Sequence, residues 1–164
     1  MDVDDIKNIE LNARMEIAKK VGKILTASDN QTEKKAAFEL AKVLAEDVAV
    51  SVREALSREL KQCHFLPRDL LDTVTSDIDE ISVPFVIASE AMDDAFLEEI
   101  VRTCGEEHQK SVAQRTGLSE AVAFAIADTG NQPAVKMLAI NDTADLSLRS
   151  YERVVSRFPE DVSL

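Results

Sequence analysis

The stretch Asp47–Leu60, DVAVSVREALSREL, constrains the fold more than any other part of the chain. Ser51 and Glu54 have capping-box spacing, in which the Ser hydroxyl takes the backbone N–H three residues on and the Glu carboxylate reaches back to the cap. Val52 then falls at the first helical position, and Val52, Ala55, Leu56 and Leu60 line one face of the helix. A lone helix of this length is marginal in water, so the rest of the chain must supply neighbours for that face.

The same three-and-four spacing recurs from end to end. Residues 3 to 27 read as one long helix with Ile6, Ile9, Ala13, Ile17, Val21 and Ile24 on its stripe. Leu11, Met15, Ala18 and Leu25 widen that face, and Gly22 is a weak point. Asn30, with Glu33 three residues on, caps a second helix that carries Ala37, Leu40, Ala41 and Leu44. Pro67 opens a fourth helix with Leu70, Leu71 and Val74. After a turn at Asp77–Ile81, Pro84 opens a fifth, and Asp93 caps a sixth bearing Leu97, Ile100 and Val101. Gly105, Gly117 and Gly130 stand where helix C-termini turn left-handed. Asn131 caps the next segment, Pro133 opens it and Asn141 ends it; a last helix, from about 145 to 158, carries Leu148, Tyr151, Val154 and Val155 before Pro159 stops it.

The expectation is an all-α chain of about ten short antiparallel helices. It forms one domain over residues 1–158, with the long N-terminal helix over 1–27, helical repeats over 30–158 and a frayed tail at 159–164. Composition supports helix: aromatics are only 4% and Trp is absent, so the core must be built from small aliphatic residues, and four Gly and four Pro are too few for the tight turns of an all-β fold. The N-terminus MDVDDIKNIE is acidic where a signal peptide is basic, and two cysteines make no disulfide framework, so a cytoplasmic location is expected.

A net charge of −12 argues against nucleic acid and anionic membrane surfaces as ligands. The charge is uneven, since residues 62 to 107 hold twelve Asp and Glu against two Arg. Turns near 76–82 and 89–95 are expected to bring Asp77, Asp79, Glu80, Glu90, Asp93 and Asp94 to one edge that meets a basic protein surface. The wide apolar face of the first helix suggests a second association surface, a homo-oligomer contact.

Catalytic and metal readings find little support. Cys63, His64, Cys104 and His108 are zinc-ligand types, yet Gly105 interrupts one pair and the other two are adjacent residues that point apart. Asp77-x-Asp79-Glu80 lacks the glycine and the distal glutamate of a calcium loop, as Ser82 and Ala88 stand in those places. The pairs Asp93-Asp94, Glu98-Glu99 and Glu106-Glu107 could be read as catalytic carboxylates, yet most suit the first turns of helices, where the macrodipole favours negative charge. No cofactor, metal or reaction is assigned.

Two resemblances sharpen this. The spacing of Asp47, Val52 and Arg53 resembles the turn of a HEAT-type repeat, which implies an irregular HEAT-like α-solenoid. In it Arg53 and Arg115 would be half-buried guanidiniums joining turn acids such as Asp47. The repeat is irregular, because apolar helix starts at Val52, Val83, Val122 and Val135 do not keep the HEAT period of about 40–47 residues. From residue 112 onward, Ala113, Arg115, Leu118, Ser119, Val122, Gly130, Asn131, Val135, Leu138, Asn141 and Ala144 match the pattern of an uncharacterised bacterial family. It is found mainly in alphaproteobacteria and is known as a domain of unknown function. That resemblance implies an all-helical domain with no assigned reaction, in which Gly130, Asn131 and Asn141 are structural. The function expected is a non-catalytic protein-interaction or scaffold module. The alternatives are a small-ligand or nucleotide-binding regulatory domain, or an enzyme on a helical scaffold.

Overall fold

The structure is a computed structural model that describes residues 3–159, with side chains from Glu10 onward. The side chains of Ile6 and Ile9, and residues 160–164 of the expected frayed tail, lie outside the described residues. The described residues form ten α-helices: α1 (Val3–Ala27), α2 (Gln31–Leu44), α3 (Val50–Leu60), α4 (Arg68–Thr75), α5 (Asp79–Ala88), α6 (Asp94–Thr103), α7 (Glu106–Ala113), α8 (Glu120–Thr129), α9 (Gln132–Ala139) and α10 (Leu148–Arg157). Among these residues no helix is long and apolar enough to cross a membrane.

The helices gather into two compact units, one holding residues up to Phe85 together with Ser89–Ala91, the other Val86–Ala88 and Met92 onward. In the first unit α1 packs on α3 and α2. The stripe read from Val52 is the core of this contact, since Val52, Ala55, Leu56 and Leu60 are all buried. On α1 the buried face is Ala18, Val21, Gly22 and Leu25, while Ala13 and Ile17 of the expected stripe face solvent. Gly22 decides between the two faces. A β-carbon there would overlap the Cβ of Glu59 on α3, so the missing side chain is what lets the helices approach this closely, and the apparent weak point is the closest point of the crossing.

In the second unit α6, α8 and α10 pack side by side in one row, and α7 and α9 form a second row against them. The core is small and aliphatic, with Val101, Val112, Ala113, Val122, Ile126, Val135 and Leu138 buried.

Helix ends differ from the sequence reading at Ser51, at Pro84 and at the glycines. The Ser51–Glu54 capping box does not form. Asp47 Oδ1 accepts the Ala49 N–H at 2.9 Å, the chain enters the helix at Val50 with Ala49 as cap, and Glu54 pairs with Arg58 one turn on. Pro84 lies inside α5 instead of opening it. Asp77 Oδ1 accepts the Ile78 N–H at 2.7 Å and turns the chain early, and Asp79 and Glu80 occupy the first turn that favours acids. Of the three glycines expected to be left-handed, only Gly117 has positive φ, at 70°. Gly105 is the extended N-cap of α7, and Gly130 is an extended C-cap whose β-carbon would meet the Ile126 carbonyl. Asn30 and Asn131 cap α2 and α9 as the sequence indicates, accepting from Thr32 and Glu33 and from Ala134.

The Gly22 crossing sets two effects in opposition. Alanine improves helix propensity by about 1 kcal/mol, whereas forcing a methyl into a closed contact costs about 1–3 kcal/mol, and here the obstacle is a Cβ tied to the α3 backbone. Gly22→Ala is therefore expected to lower the urea unfolding midpoint at unchanged slope; a midpoint equal to or above wild type would show that α1 and α3 separate without cost.

Candidate interaction surfaces

Most of the polar residues singled out in the sequence turn out to close helix ends. In the first unit Arg14 reaches from α1 to the Asp47 carboxylate, at 3.0 Å from Nε to Oδ2. Arg53, from α3, donates to the Asp47 carbonyl at 2.7 Å and holds both Asp77 oxygens, at 2.7 and 3.1 Å. The half-buried guanidinium thus joins two turns, but its carboxylate partner is Asp77; Arg14 takes the Asp47 carboxylate that Arg53 was expected to hold. Asp77 in turn keeps the Arg53 guanidinium protonated more firmly than usual, chiefly through their hydrogen bond.

In the second unit Arg115 is half-buried and donates to the Val86 carbonyl at 2.6 Å, an acceptor in the last turn of α5, where helix geometry leaves carbonyls without partners. Burial pushes its pKa down. Asn141 does more than end α9: its Nδ2 donates to the Ala113 and Arg115 carbonyls, both at 2.8 Å, closing the end of α7. Gln109, which sequence reasoning passed over, donates to the Val101 and Cys104 carbonyls at 3.0 and 3.1 Å and accepts the Asn131 N–H at 2.7 Å. No sequence signal marks it, since its partners are backbone groups on other segments.

The six acidic residues expected to form an edge have local roles. Asp77 is held by Arg53, Asp79 and Glu80 sit in the first turn of α5, and Glu90 meets His64 Nδ1 at 3.1 Å. Asp93 caps α6 by accepting the Phe96 N–H at 2.9 Å, and Asp94 is in the first turn of that helix. Among the described residues no group of three or more His, Cys, Asp or Glu is arranged to hold a metal ion. Cys63 is buried beside Thr26 Oγ1 at 3.4 Å, and burial pushes its thiol pKa up. Two clefts of the first unit measure about 270 and 210 Å³. The larger is lined by Glu39, Lys42, Val43, Glu46, Asp69 and Thr73, and the smaller includes Glu54, Arg58, Lys61 and Glu80.

The last helix is built differently from the rest. Arg149, Arg153 and Arg157 recur every four residues and face α8. Arg149 grips Glu120 with two bonds of 2.6 and 2.7 Å and lies 4.0 Å over the Phe124 ring, Arg153 holds Asp128 at 2.7 Å, and Arg157 donates to the Ala127 and Gly130 carbonyls. Ser147 adds a 2.7 Å bond to Glu120 Oε1. Arg149, with Ser147 second, holds the Glu120 pKa down to about 2. At 100° per residue the stripe Leu148, Tyr151 and Val155 lies on the opposite side, and these residues are 72, 56 and 68% exposed. The arginines of this amphipathic helix lie along α8, with Arg149 and Arg153 still partly in solvent, and the apolar stripe faces outward.

Comparison with known proteins follows this geometry. Residues 81–164, just over half the chain and including all of α6 to α10, match the model of a family described as uncharacterised protein conserved in bacteria (DUF2336). No curated protein and no solved structure matches.

Two outcomes are expected. Arg53→Ala removes the guanidinium from Asp77 and from the Asp47 carbonyl and should cost about 1–3 kcal/mol in a denaturant titration; an unchanged midpoint would show that the two turns hold without it. Because the Glu120 pKa is depressed, its contribution to the docking of α10 is complete above the ordinary value of 4.5 and is lost as pH falls toward about 2. Tyr151 is the only tyrosine and there is no tryptophan, so tyrosine fluorescence should follow this loss between those limits. Glu120→Gln should remove that component, and an identical acid profile in the variant would assign the transition to other groups.

Proposed function

The chain belongs to the DUF2336 family of uncharacterised bacterial proteins, and from that premise we propose that it is a non-catalytic protein-interaction module built from HEAT-like helix pairs. The rows α6, α8, α10 and α7, α9 support the repeat reading, because alternate helices of stacked antiparallel pairs pack on one another in this way. The Arg53 link between two turns supports it in the first unit.

The outward stripe of α10 carries the interaction reading. Scattered exposed apolar residues are ordinary, but three on one face of a helix whose arginines lie along α8 form a contiguous patch of the kind that marks binding sites. Burying a side chain of this type contributes about 1.5–3 kcal/mol, so a partner covering all three draws much of its affinity from them. The acidic surface adds a preference for basic partners. A small-ligand site has less support, since both clefts fall below the usual range of about 300–1,000 Å³ and are lined largely by charged groups.

Affinity capture from the bacterium's own extract tests the reading, with the wild-type chain and the Leu148→Gln/Val155→Gln variant as baits. The expected result is a protein retained by wild type and lost by the variant at equal melting temperature, because the exposed stripe makes no contribution to the folded chain. Equal recovery by both baits would end the assignment to α10.

A further inference from the structure

The stripe on α10 has a definable occupant. In the second unit α8 packs on α6 and α10 packs on α8, so α10 is the last helix of a row among the described residues, and its outward face is where the next member of such a row would lie. Leu148, Tyr151 and Val155 stand at i, i+3 and i+7, the spacing of a seam that accepts a helix lying alongside. The surface is therefore shaped for a helix, and an extended strand or a flat sheet would engage only part of it.

Charge then selects among helices. The three arginines of α10 are engaged by Glu120, Asp128 and the carbonyls at the end of α8. Glu152, which follows Tyr151 and flanks the stripe, is exposed. The whole chain carries −12. A second copy is a poor occupant, because an antiparallel α10 pair aligned on its apolar seam sets Glu152 close to the Glu152 of the other copy.

We propose that the outward face of α10 docks an amphipathic helix of another protein, one whose apolar seam packs on Leu148, Tyr151 and Val155 and whose flanking lysines or arginines meet Glu152. This rests on the reading of the chain as an interaction module and names the class of partner that α10 takes.

The test uses the full chain and synthetic peptides of about three heptads, with Leu at the seam positions and either Lys or Glu at the flanking ones, and with no aromatic residue. Tyr151 is the only tyrosine and lies within the patch, so its fluorescence reports occupancy directly, and calorimetry gives the dissociation constant. Wild type is expected to bind the Lys peptide at least about tenfold more tightly than the Glu peptide, a preference that shrinks as salt rises. Glu152→Lys should weaken or reverse the preference, and Leu148→Gln/Val155→Gln should lose at least about tenfold in affinity for the Lys peptide, with an unchanged melting temperature confirming the fold.

Equal binding of both peptides, or binding indifferent to the α10 substitutions, would overturn the proposal. So would a dimer of the chain alone in light scattering that the Leu148→Gln/Val155→Gln variant abolishes, since a second copy would then be the occupant. If the peptides fail while capture from extract still depends on Leu148 and Val155, the basic helix is wrong and the interaction module stands; if capture is also indifferent to them, both fall.

Discussion

A helix of eight residues has as many unpaired backbone groups as paired ones, because four N–H groups and four carbonyls lie beyond the reach of its own ladder. Five of the ten helices here have eight or ten residues in the second unit alone, so the structure depends on how their ends are closed. Asn131 and Ser119 cap N-termini from within their own turns. Gln109, Asn141, Arg115 and Arg157 close carbonyl ends from a distance, each reaching another segment's backbone. These polar side chains are engaged by peptide groups of other segments.

Buried ends also explain the order of importance among the arginines. Arg53 is half-buried between two turns, and its partners are the Asp77 carboxylate, which also accepts the Ile78 N–H, and the Asp47 carbonyl. An exposed pair such as Arg58 with Glu54 gains little, because water screens it and two long side chains must be ordered to form it. The difference lies in what is left behind when the cation is removed: a solvated carboxylate in one case, an enclosed one in the other.

How much of this was legible in the sequence follows from the range of each interaction. The apolar spacing of Val52, Ala55, Leu56 and Leu60 identified a buried face because burial repeats with the helix itself. On α1 the same rule offered two faces, and the choice of Ala18, Val21 and Leu25 over Ala13 and Ile17 depended on Gly22 meeting Glu59, a contact between residues far apart in the chain. Caps were legible where the capping residue stood directly before the helix, as at Asn30 and Asn131, and illegible at Ser51, where Asp47 turned the chain before Ser51 had a helix to cap. Gln109 leaves no local trace, and Asn141, legible as a helix end, gives no sign of its reach to carbonyls 28 and 26 residues away.

The last helix shows the same limit and a consequence of it. Periodicity reveals that α10 has a charged side and an apolar side, but only α8 determines which turns inward, since Glu120, Asp128 and the carbonyls at its end supply partners for three arginines and no apolar groove for Leu148 or Val155. A helix docked in this way is held by contacts that salt and acid weaken, with only Ser150 fully buried beneath it. It belongs to the less stable end of the fold, where local opening costs least.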